Sequence, residues 1–354
     1  MTMDEKLIFT NKAGIELDNL INGLGNPRTI IITDINVEAK VLPALISASE
    51  IVRTSPRIVI QAGDNNKTLD TLASVWKELS EMEAVRKTVI VNIGGGVVTD
   101  LGGFAAATYM RGMKCVNIPT TLLSAVDASV GGKTGINFNG LKNQVGAFSE
   151  PVATIISPEF FATLPAEEIL SGYGEMLKHG LLESDEATNR LLAINPVDTP
   201  ELLLPLIEDS VSVKARVVAE DLRESGVRKL LNLGHTFGHA FESYSYERNT
   251  PAPHGYAVVW GLVCELVLSH IRYGFSSELL HRFANYAREH YGAFAITCKD
   301  YPALIHAMRH DKKNATADSI NCTLLESPGH GITDVIVSED EIKSALDIYC
   351  DLIL

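Results

Sequence analysis

The stretch KTVIVNIGGGVVTDLGGF, residues 87–104, decides the predicted fold. A run of β-branched residues ends at three consecutive glycines, and a helix is predicted to open directly after them. Two earlier runs, RTIIITD at residues 28–34 and RIVIQAG at residues 57–63, also end in polar or glycine residues, which is typical of buried parallel strands. An amphipathic helix is predicted at residues 71–82. This alternation predicts an α/β fold with a doubly wound, Rossmann-like parallel sheet.

Two more strands are predicted, KCVNIP at residues 114–119 and PVATIIS at residues 151–157, and the segment between them is polar and rich in glycine. From residue 158 onward the pattern becomes mostly helical. The later predicted elements are helices at 166–192, 200–219, 229–244, 256–273, 278–291 and 339–352 and one strand at 319–326. Since 354 residues are too many for one ordinary core, we expect an α/β domain at residues 1–160 and a helical domain at residues 161–354.

The composition favours a globular protein in a reducing compartment. The net charge of -14 leaves no basic surplus for nucleic acid. The longest apolar run, residues 257–268, is interrupted by Glu265 and is short for a bilayer span. The N-terminus lacks the apolar core of a signal peptide, and the five cysteines form no CxxC pair. We therefore expect a cytoplasmic protein that binds neither a membrane nor nucleic acid, although a few basic residues in a pocket could still hold a small anion.

The run NLGHTFGHAFE, residues 232–242, carries two histidines at helical spacing. On a helix, His235 and His239 share one face, so they could share a cation, or one could bind it while the other moves protons. The plain alternative is a pair of surface or core histidines. Two further residues favour a metal, because Glu175 lies in GYGEMLKHG and His254 opens an apolar run. Three such ligands with one open position are the pattern of catalytic zinc.

The glycine-rich turn at residues 94–96 could bind a pyrophosphate through backbone N–H groups at a helix N-terminus. The GxGxxG fingerprint fails at its third glycine, where Thr99 stands. A dinucleotide site and a simple tight turn therefore both stay open. Asp34, at the end of an early strand, is a candidate for a ribose contact or for a turn or cap residue.

Basic residues in polar loops could bind a phosphate or a carboxylate. SVGGKTG resembles part of a nucleotide-triphosphate loop, but that motif needs glycine where Asp127 stands, which excludes an ATPase. Lys133 among glycines still offers a point charge for an anion. Taken singly, the later basic residues would be expected at the surface. These are Lys214, Arg228, Lys312 and Lys313.

Taken together, the motifs resemble the 3-dehydroquinate synthase family. GGGVVTDLGGFAAATYMRG, IPTTLLSAVDASVGGKTGIN, KNQVGAF, GYGEMLKHG, RKLLNLGHTFGHA, HG and DKKN occur in the family's order and spacing, between residues 34 and 313. The resemblance implies a lyase of the shikimate pathway that converts 3-deoxy-D-arabino-heptulosonate 7-phosphate into 3-dehydroquinate and phosphate. It also implies catalytic NAD, one divalent metal (zinc or cobalt) and a homodimer.

The resemblance assigns roles to individual residues. It implies that NAD contacts Asp34, Asn36, Lys67, Gly94, Gly95, Gly96, Asp100, Thr120, Thr121 and Lys142. It implies metal ligation by Glu175, His235 and His254, and a catalytic role for His239. It implies that the substrate phosphate meets Lys133, Asn143, Asn232 and either Lys312 or Lys313. It implies that Lys214 and Arg228 hold the substrate carboxylate, that Asp127 and Lys178 contact hydroxyls, and that Arg111 reaches the site of a neighbouring subunit.

The chain departs from the family pattern at residues 63–67, Thr99, Gly174 and Tyr256, and three rival functions remain. Tyr256 stands two residues after His254, where the family commonly has glutamate, and Thr99 replaces a usual glycine.

A sister sugar phosphate cyclase would act on a substrate without a carboxylate, which leaves Lys214 and Arg228 unexplained. A polyol dehydrogenase would release NADH. A scaffold without catalysis would have no use for a full set of metal ligands.

Overall fold

The computed structural model describes residues 6–139, 141–221, 226–310 and 319–354. These residues form two compact units. The first unit contains the chain up to Pro165 together with Pro200–Glu208, and the second contains Ala166–Thr199 and the chain from Asp209 onward.

The first unit is built on a parallel sheet. Its strands are β1 (Lys6–Phe9), β2 (Thr29–Asp34), β3 (Arg57–Ile60), β4 (Val89–Gly94), β5 (Cys115–Pro119), β6 (Lys133–Phe138), β7 (Leu141–Phe148) and β8 (Ala153–Ile156). Six of them form one sheet in the order β1-β8-β5-β4-β2-β3, with every pair parallel. The β-branched side chains of Ile30, Ile32 and Ile90 are fully buried. The predicted doubly wound α/β fold is confirmed, whereas β1 was not foreseen.

Helices alternate with these strands. They are α1 (Ala13–Gly23), α2 (Ile35–Lys40), α3 (Leu42–Ala48), α4 (Glu50–Thr54), α5 (Leu69–Glu81) and α6 (Gly96–Thr108). Helix α5 begins after Thr68, whose side chain accepts a hydrogen bond from Thr71 N. Its buried face, Leu72, Val75 and Leu79, belongs to a core cluster that also contains Leu101 of α6. The helical spacing of these apolar residues explains why α5 could be predicted.

The glycine-rich segment after β5 contains a hairpin that the sequence pattern did not predict. Strands β6 and β7 pair antiparallel, with Gly135 opposite Gly146. A Cβ atom at Gly146 would lie 2.1 Å from the carbonyl oxygen of Thr134, so only glycine permits this approach of the two backbones. The polar composition concealed the strands because most side chains of β7 are exposed.

The second unit is mainly helical. Its elements are α7 (Ala166–Glu183), α8 (Asp185–Leu192), α9 (Leu203–Glu220), α10 (His235–Glu247), α11 (His254–Tyr273), α12 (Ser277–Tyr291), α13 (Tyr301–Arg309), β9 (Ile320–Ser327), β10 (His330–Val337) and α14 (Glu339–Ile353), where α9 starts in the first unit. The single helix predicted at 166–192 is wrong, because Ser184 breaks it and caps α8. The helix predicted from residue 229 begins only at His235, after a 3₁₀ turn at Val227–Asn232.

Helix α11 is longer and more apolar than its central run suggested. Among the described residues, α11 is the one helix whose length and mean hydropathy would allow a membrane crossing, but 78% of its apolar window is buried. Helix α11 therefore extends beyond the run at residues 257–268 on both sides. Burial in the second unit accounts for the composition, since Val258, Leu262 and Leu266 are fully covered by protein.

Candidate active site

Helix α7 carries a buried carboxylate with a cation one turn away. Glu175 is fully buried, and the Lys178 ammonium, 2% exposed, forms a direct ion pair with Glu175 Oε2. The spacing of three residues places both side chains on one face of the helix. A buried charge of this kind is tolerated only when it is paired. The second carboxylate oxygen, Glu175 Oε1, is left to face the neighbouring helices.

Helix α10 presents His235 to that oxygen. Gly234, with φ of 80°, caps the helix, and its N–H donates to Glu265 Oε2 at 2.6 Å, while Thr236 N donates to Glu265 Oε1 at 3.2 Å. Glu265 is itself fully buried. His235 Nδ1 lies 3.0 Å from the carbonyl oxygen of Leu233, which orients the ring, and His235 Nε2 lies 3.3 Å from Glu175 Oε1. The start of α10 therefore determines where the first imidazole points.

Helix α11 supplies the second imidazole at its first residue. His254 Nε2 lies 3.3 Å from Glu175 Oε1, and His254 Nδ1 lies 2.9 Å from Glu242 Oε2. A carboxylate on one imidazole nitrogen leaves the other free to bind a metal and fixes the ring orientation. Glu242 was not predicted from the sequence. Its signal is the spacing of seven residues from His235, which returns to the same face of α10.

These three side chains fit a divalent metal. One ligand atom each from Glu175, His235 and His254 can be chosen so that all three lie within 4.8 Å of one another. Glu175 Oε1 is buried and accepts no well-formed hydrogen bond from the described residues. Two imidazoles and one carboxylate are a donor set that catalytic zinc uses, with a further position for substrate. A cation at this point would satisfy an oxygen that the described protein atoms do not.

Neighbouring charges shift the pKa values of two of the proposed metal ligands, Glu175 and His254. Burial works to raise the pKa of Glu175, but the charges of Lys178 and His235 outweigh it and hold that pKa well below 4.5. Burial works to lower the pKa of His254, but the neighbouring carboxylates of Glu175 and Glu242 raise it to about 10. An ionised carboxylate is the form that binds a metal, whereas a metal at His254 must displace a proton.

His239 borders the cluster without joining the ligand set. Its ring centroid lies 5.3 Å from that of His235 and 6.1 Å from that of His254. The helical pair predicted from the sequence is therefore confirmed as a geometric arrangement. The structure separates the pair chemically, because only His235 directs a nitrogen at Glu175.

Basic side chains are also buried in the second unit. Lys214 is 7% exposed and Arg228 is 3% exposed. The expectation that each would lie at the surface if taken singly is therefore wrong for these two. Asn232 ends the 3₁₀ turn that contains Arg228. Cations are buried at a high free-energy cost unless they meet anions, so the packing around these two side chains must supply charged or polar partners.

The glycine turn in the first unit brings together residues predicted to hold a dinucleotide. Strand β4 ends at Gly94 and α6 begins at Gly96. A Cβ atom at Gly95 would lie 3.1 Å from Cγ2 of Thr121, so the turn packs tightly against the segment after β5. Thr120 N donates to the carbonyl oxygen of Gly94 at 3.0 Å. The N-terminus of α6 is thus half-buried at a tight backbone turn, and helix N-termini at such turns can bind anions.

A buried lysine, itself predicted to contact NAD, contacts two further predicted residues in the first unit. Lys67 Nζ lies 2.5 Å from Asp100 Oδ2, and it also donates to the side-chain oxygen of Asn143. The Lys67 side chain is only 5% exposed. Two residues predicted to contact NAD and one predicted to contact phosphate therefore meet at one ammonium group. Lys142 instead points to Asp64, with its Nζ 3.9 Å from Asp64 Oδ2.

Asp34 performs the capping role that the sequence left open. Its side chain accepts hydrogen bonds from Asn36 N at 2.8 Å and Val37 N at 3.1 Å, so it caps α2. Its second carboxylate oxygen is not used by this cap. The cap and a ribose contact are therefore compatible.

The remaining predicted residues are placed as follows. Asp127 lies in a π-helical turn at Ser124–Ala128 and is half-buried, and Lys133 is exposed at the start of β6. Arg111 is exposed and has a left-handed backbone, with φ of 66°. Lys312 and Lys313 lie outside the described residues.

Comparisons with known proteins account for both units. The family model for the 3-dehydroquinate synthase N-terminal domain matches residues 57–171, and that for the C-terminal domain matches residues 172–314. The chain belongs to the 3-dehydroquinate synthase family. The resemblance seen in the motifs is thereby confirmed.

Individual relatives extend the match to almost the full length. A 3-dehydroquinate synthase from Parabacteroides distasonis is 44% identical over 348 residues, which covers 98% of both chains. One from Pyrococcus furiosus is 40% identical over 274 residues, 75% of this chain and 79% of its own. The chain therefore spans both halves of a 3-dehydroquinate synthase.

Solved structures confirm the fold. A 2-epi-5-epi-valiolone synthase from Streptomyces hygroscopicus, with NAD+ and Zn2+ bound, gives a TM-score of 0.84 at 24% identity, covering 99% of this chain and 98% of its own. A 2-deoxy-scyllo-inosose synthase, complexed with carbaglucose-6-phosphate, NAD+ and Co2+, gives 0.83 at 23% identity, covering 96% and 95%. At these identities the likeness concerns architecture.

Proposed function

We propose that the protein is a 3-dehydroquinate synthase, which converts 3-deoxy-D-arabino-heptulosonate 7-phosphate into 3-dehydroquinate and inorganic phosphate in the shikimate pathway. The observation that carries this proposal is the relative that is 44% identical over 98% of the chain. The convergence of Glu175, His235 and His254 supports it, because the chemistry requires a metal at a substrate hydroxyl.

The cofactors of the proposed reaction are NAD and one zinc or cobalt ion. When bound, the ion would favour ionisation of a substrate hydroxyl, and NAD would accept and return one hydride. Glu175, His235 and His254 would hold the ion. Lys178 keeps Glu175 ionised, and Glu242 keeps the His254 ring oriented. His239, beside the ligands but outside the set, is suited to move a proton.

The substrate carries a phosphate at one end and a carboxylate at the other. We infer that the carboxylate meets Lys214 and Arg228, the two buried cations. We infer that the phosphate meets Lys133, Asn143, Asn232 and Lys312 or Lys313, and that hydroxyls meet Asp127 and Lys178. Fixing both charged ends would orient the carbon chain for loss of phosphate and for closure of the ring.

NAD would be held in the first of two proposed domains, residues 1–160, and the metal in the second, residues 161–354. The NAD contacts proposed in this domain are Asp34, Asn36, Lys67, Gly94, Gly95, Gly96, Asp100, Thr120, Thr121 and Lys142. The backbone cradle at the start of α6 supports a pyrophosphate contact, and Asp34 after β2 supports a ribose contact.

We further propose a cytoplasmic homodimer in which Arg111 reaches the site of its partner. The exposure of Arg111 supports this assignment. Sedimentation of the purified protein tests it, since a fully active monomer would contradict it.

The test of the reaction is a joint assay of phosphate release and NADH absorbance on the heptulosonate phosphate. Phosphate should accumulate with no net change in NADH, because both hydride transfers occur in one site. Stoichiometric NADH would instead identify a dehydrogenase. Comparable phosphate release from a sugar phosphate without a carboxylate would identify a sister cyclase, a class to which the two solved structures belong by name.

A further inference from the structure

The hairpin of β6 and β7 contains a bulge opposite Asn137. The register of the two strands shifts between Ile136 and Phe138, so Asn137 alone faces three residues of β7. Those three are Lys142, Asn143 and Gln144. Bulges bend a strand and redirect its side chains, and they are frequent next to active sites. Two of the bulged residues are already proposed contacts, Lys142 for NAD and Asn143 for phosphate, so the bulge determines where part of the proposed site points.

The side chain of Asn137 supplies a hydrogen bond inside the bulge. Its Oδ1 accepts from the backbone N–H of Asn143 at 3.0 Å. Asn143 has a left-handed backbone, with φ of 51°, which asparagine tolerates better than most residues. A residue in that region keeps its conformation only where the surrounding structure fixes it. The bond to Asn137 therefore helps to hold Asn143 in the conformation that directs its side chain.

The side-chain amide of Asn143 is turned towards Lys67. Its Oδ1 accepts a hydrogen bond from the Lys67 ammonium. Because an ammonium group can only donate, the oxygen end of the amide faces it, and the NH2 end is left as the donor for other acceptors. A phosphate oxygen is such an acceptor. Two partners thus set the orientation of Asn143, with Asn137 at its backbone and Lys67 at its side chain.

The same asparagine also contacts the segment that carries Lys67. Asn137 Nδ2 donates to the carbonyl oxygen of Asp64 and to Asp64 Oδ2, each at 3.1 Å. The backbone N–H of Asn137 donates to the carbonyl oxygen of Lys67 at 2.8 Å. The following residue, Thr68, caps α5, so the segment is fixed to a helix at its other end. Asn137 therefore joins the bulge to residues 64–67, which include a proposed NAD contact.

The hairpin does not depend on the Asn137 side chain for its existence. Four further residues of β6, Lys133–Ile136, pair with Val145–Phe148 in the regular ladder. The side chain of Asn137 is half-buried, and Asn143 and Asp64 are exposed, so water competes for each of its bonds. A net contribution of one hydrogen bond corresponds to about a two- to tenfold change in an equilibrium constant. Such bonds suit the orientation of neighbouring residues better than the stabilisation of the fold.

We propose that Asn137 is a positioning residue that serves both proposed ligands. Through Asn143 it places the amide that meets phosphate, and through Asp64 it places the segment whose lysine meets NAD. This inference rests on the proposed function for the identity of the two ligands, and it adds a residue to which that function assigns no role. The effect of Asn137 passes through Asn143 and Asp64, which distinguishes it from a direct ligand contact.

Calorimetric titrations test the proposal, first with NAD and then with inorganic phosphate at saturating NAD. Asn137→Ala should weaken each ligand about two- to tenfold, the effect of lost hydrogen bonds. Asn139→Gly is the matched control and should change neither affinity. Asn139 lies in the same hairpin, is exposed and has φ of 50°, a conformation that glycine adopts freely. Thermal unfolding of each variant measures any loss of stability separately.

Two double-mutant cycles show whether Asn137 acts through its two neighbours. In an Asn143→Gly background, which keeps the left-handed backbone accessible, Asn137→Ala should cost no further phosphate affinity but should still weaken NAD. In an Asp64→Ala background it should still weaken phosphate. The further loss of NAD affinity should there be smaller, because only the bond to the Asp64 carbonyl oxygen is left to lose. A residue that merely stabilised the hairpin would weaken both ligands equally in every background.

Three outcomes would overturn the proposal. These are an unchanged affinity for either ligand in Asn137→Ala, a further loss of phosphate affinity in the Asn143→Gly background equal to that in the wild type, and no saturable binding of inorganic phosphate by the wild type. The titrations involve no turnover. A protein that passes them but releases no phosphate from the heptulosonate phosphate would refute the proposed reaction and leave the role of Asn137 intact.

Discussion

Glu242 Oε2 lies 2.9 Å from His254 Nδ1, on the side of the imidazole opposite to Glu175. The ring of His254 is therefore held between two carboxylates from different helices. One of them can share a metal with it, and the other fixes its orientation.

Replacing Glu242 should weaken metal binding while leaving all three ligands in place. Glu242→Gln removes the charge behind His254, and loss of such an outer partner typically costs 10–100-fold in metal affinity. Titration of the apoprotein with zinc measures this. Glu247→Gln at the exposed end of α10 is the matched control. Unchanged affinity in Glu242→Gln would mean that the carboxylate only packs against the ring.

The two histidines of α10 should separate in a metal assay. His235→Ala should abolish metal retention because it removes a ligand atom aimed at Glu175. His239→Ala should keep the metal and lose rate, as expected for a proton carrier. Atomic absorption on dialysed protein, combined with phosphate release, distinguishes the two effects. Equal metal loss in both variants would contradict the assignment.

Arg228→Ala should weaken binding of the carboxylate-bearing substrate by about 2–5 kcal/mol, the typical cost of breaking a buried charged pair. The control is Lys229→Ala, since Lys229 pairs with Asp334 at 2.6 Å and is 34% exposed. KM and kcat should be measured for both variants. An equal effect of the two substitutions would remove Arg228 from the proposed carboxylate site.

Glu341 should contribute pH-dependent stability. Hydrogen bonds from Arg272, at 2.7 and 2.8 Å, lower the pKa of Glu341 to about 2. Burial alone would raise this pKa, and hydrogen bonds from Ser338 lower it further. Because the folded-state pKa is depressed, the stabilisation is full above the ordinary value of 4.5 and is lost as the pH falls towards 2. At neutral pH, Glu341→Gln should lower the free energy of unfolding by about 1–2 kcal/mol, a range reduced for the partial exposure of the pair.

Urea denaturation of the wild type and of Glu341→Gln at neutral pH and near pH 2 measures this difference. Asp340→Asn is the neighbouring control, since the Asp340 side chain is 95% exposed. The gap between the wild type and Glu341→Gln should close at low pH. A gap that persists there would show that the lost hydrogen-bond geometry, and not the charge, is responsible.

The sequence predicted those parts of the fold whose pattern is local. Strands such as β2 and β4 follow from β-branched runs, and α5 follows from its apolar spacing. The β6–β7 hairpin could not be predicted in this way, because its pairing depends on glycine contacts between segments. The three metal candidates were visible because histidine and glutamate stand out in apolar helices.

The supporting residues of the site were not visible in the same way. Glu242 contacts His254 at the start of α11, and Glu265 accepts a hydrogen bond from Gly234 at the start of α10. Only the packed structure reveals these contacts between helices. The burial of Lys214 and Arg228 likewise depends on tertiary packing.

Helix α11 acts on the metal cluster at two points. Its first residue is His254, and about three turns later Glu265 holds the N–H groups of Gly234 and Thr236 on either side of His235. A displacement of α11 along its axis would move one imidazole directly and would also release the start of α10 that orients the other. Both imidazoles are thus positioned by the same helix. Thermal motion of α10 and α11 should therefore change the distance between the two imidazoles less than it would if each were held by a separate helix.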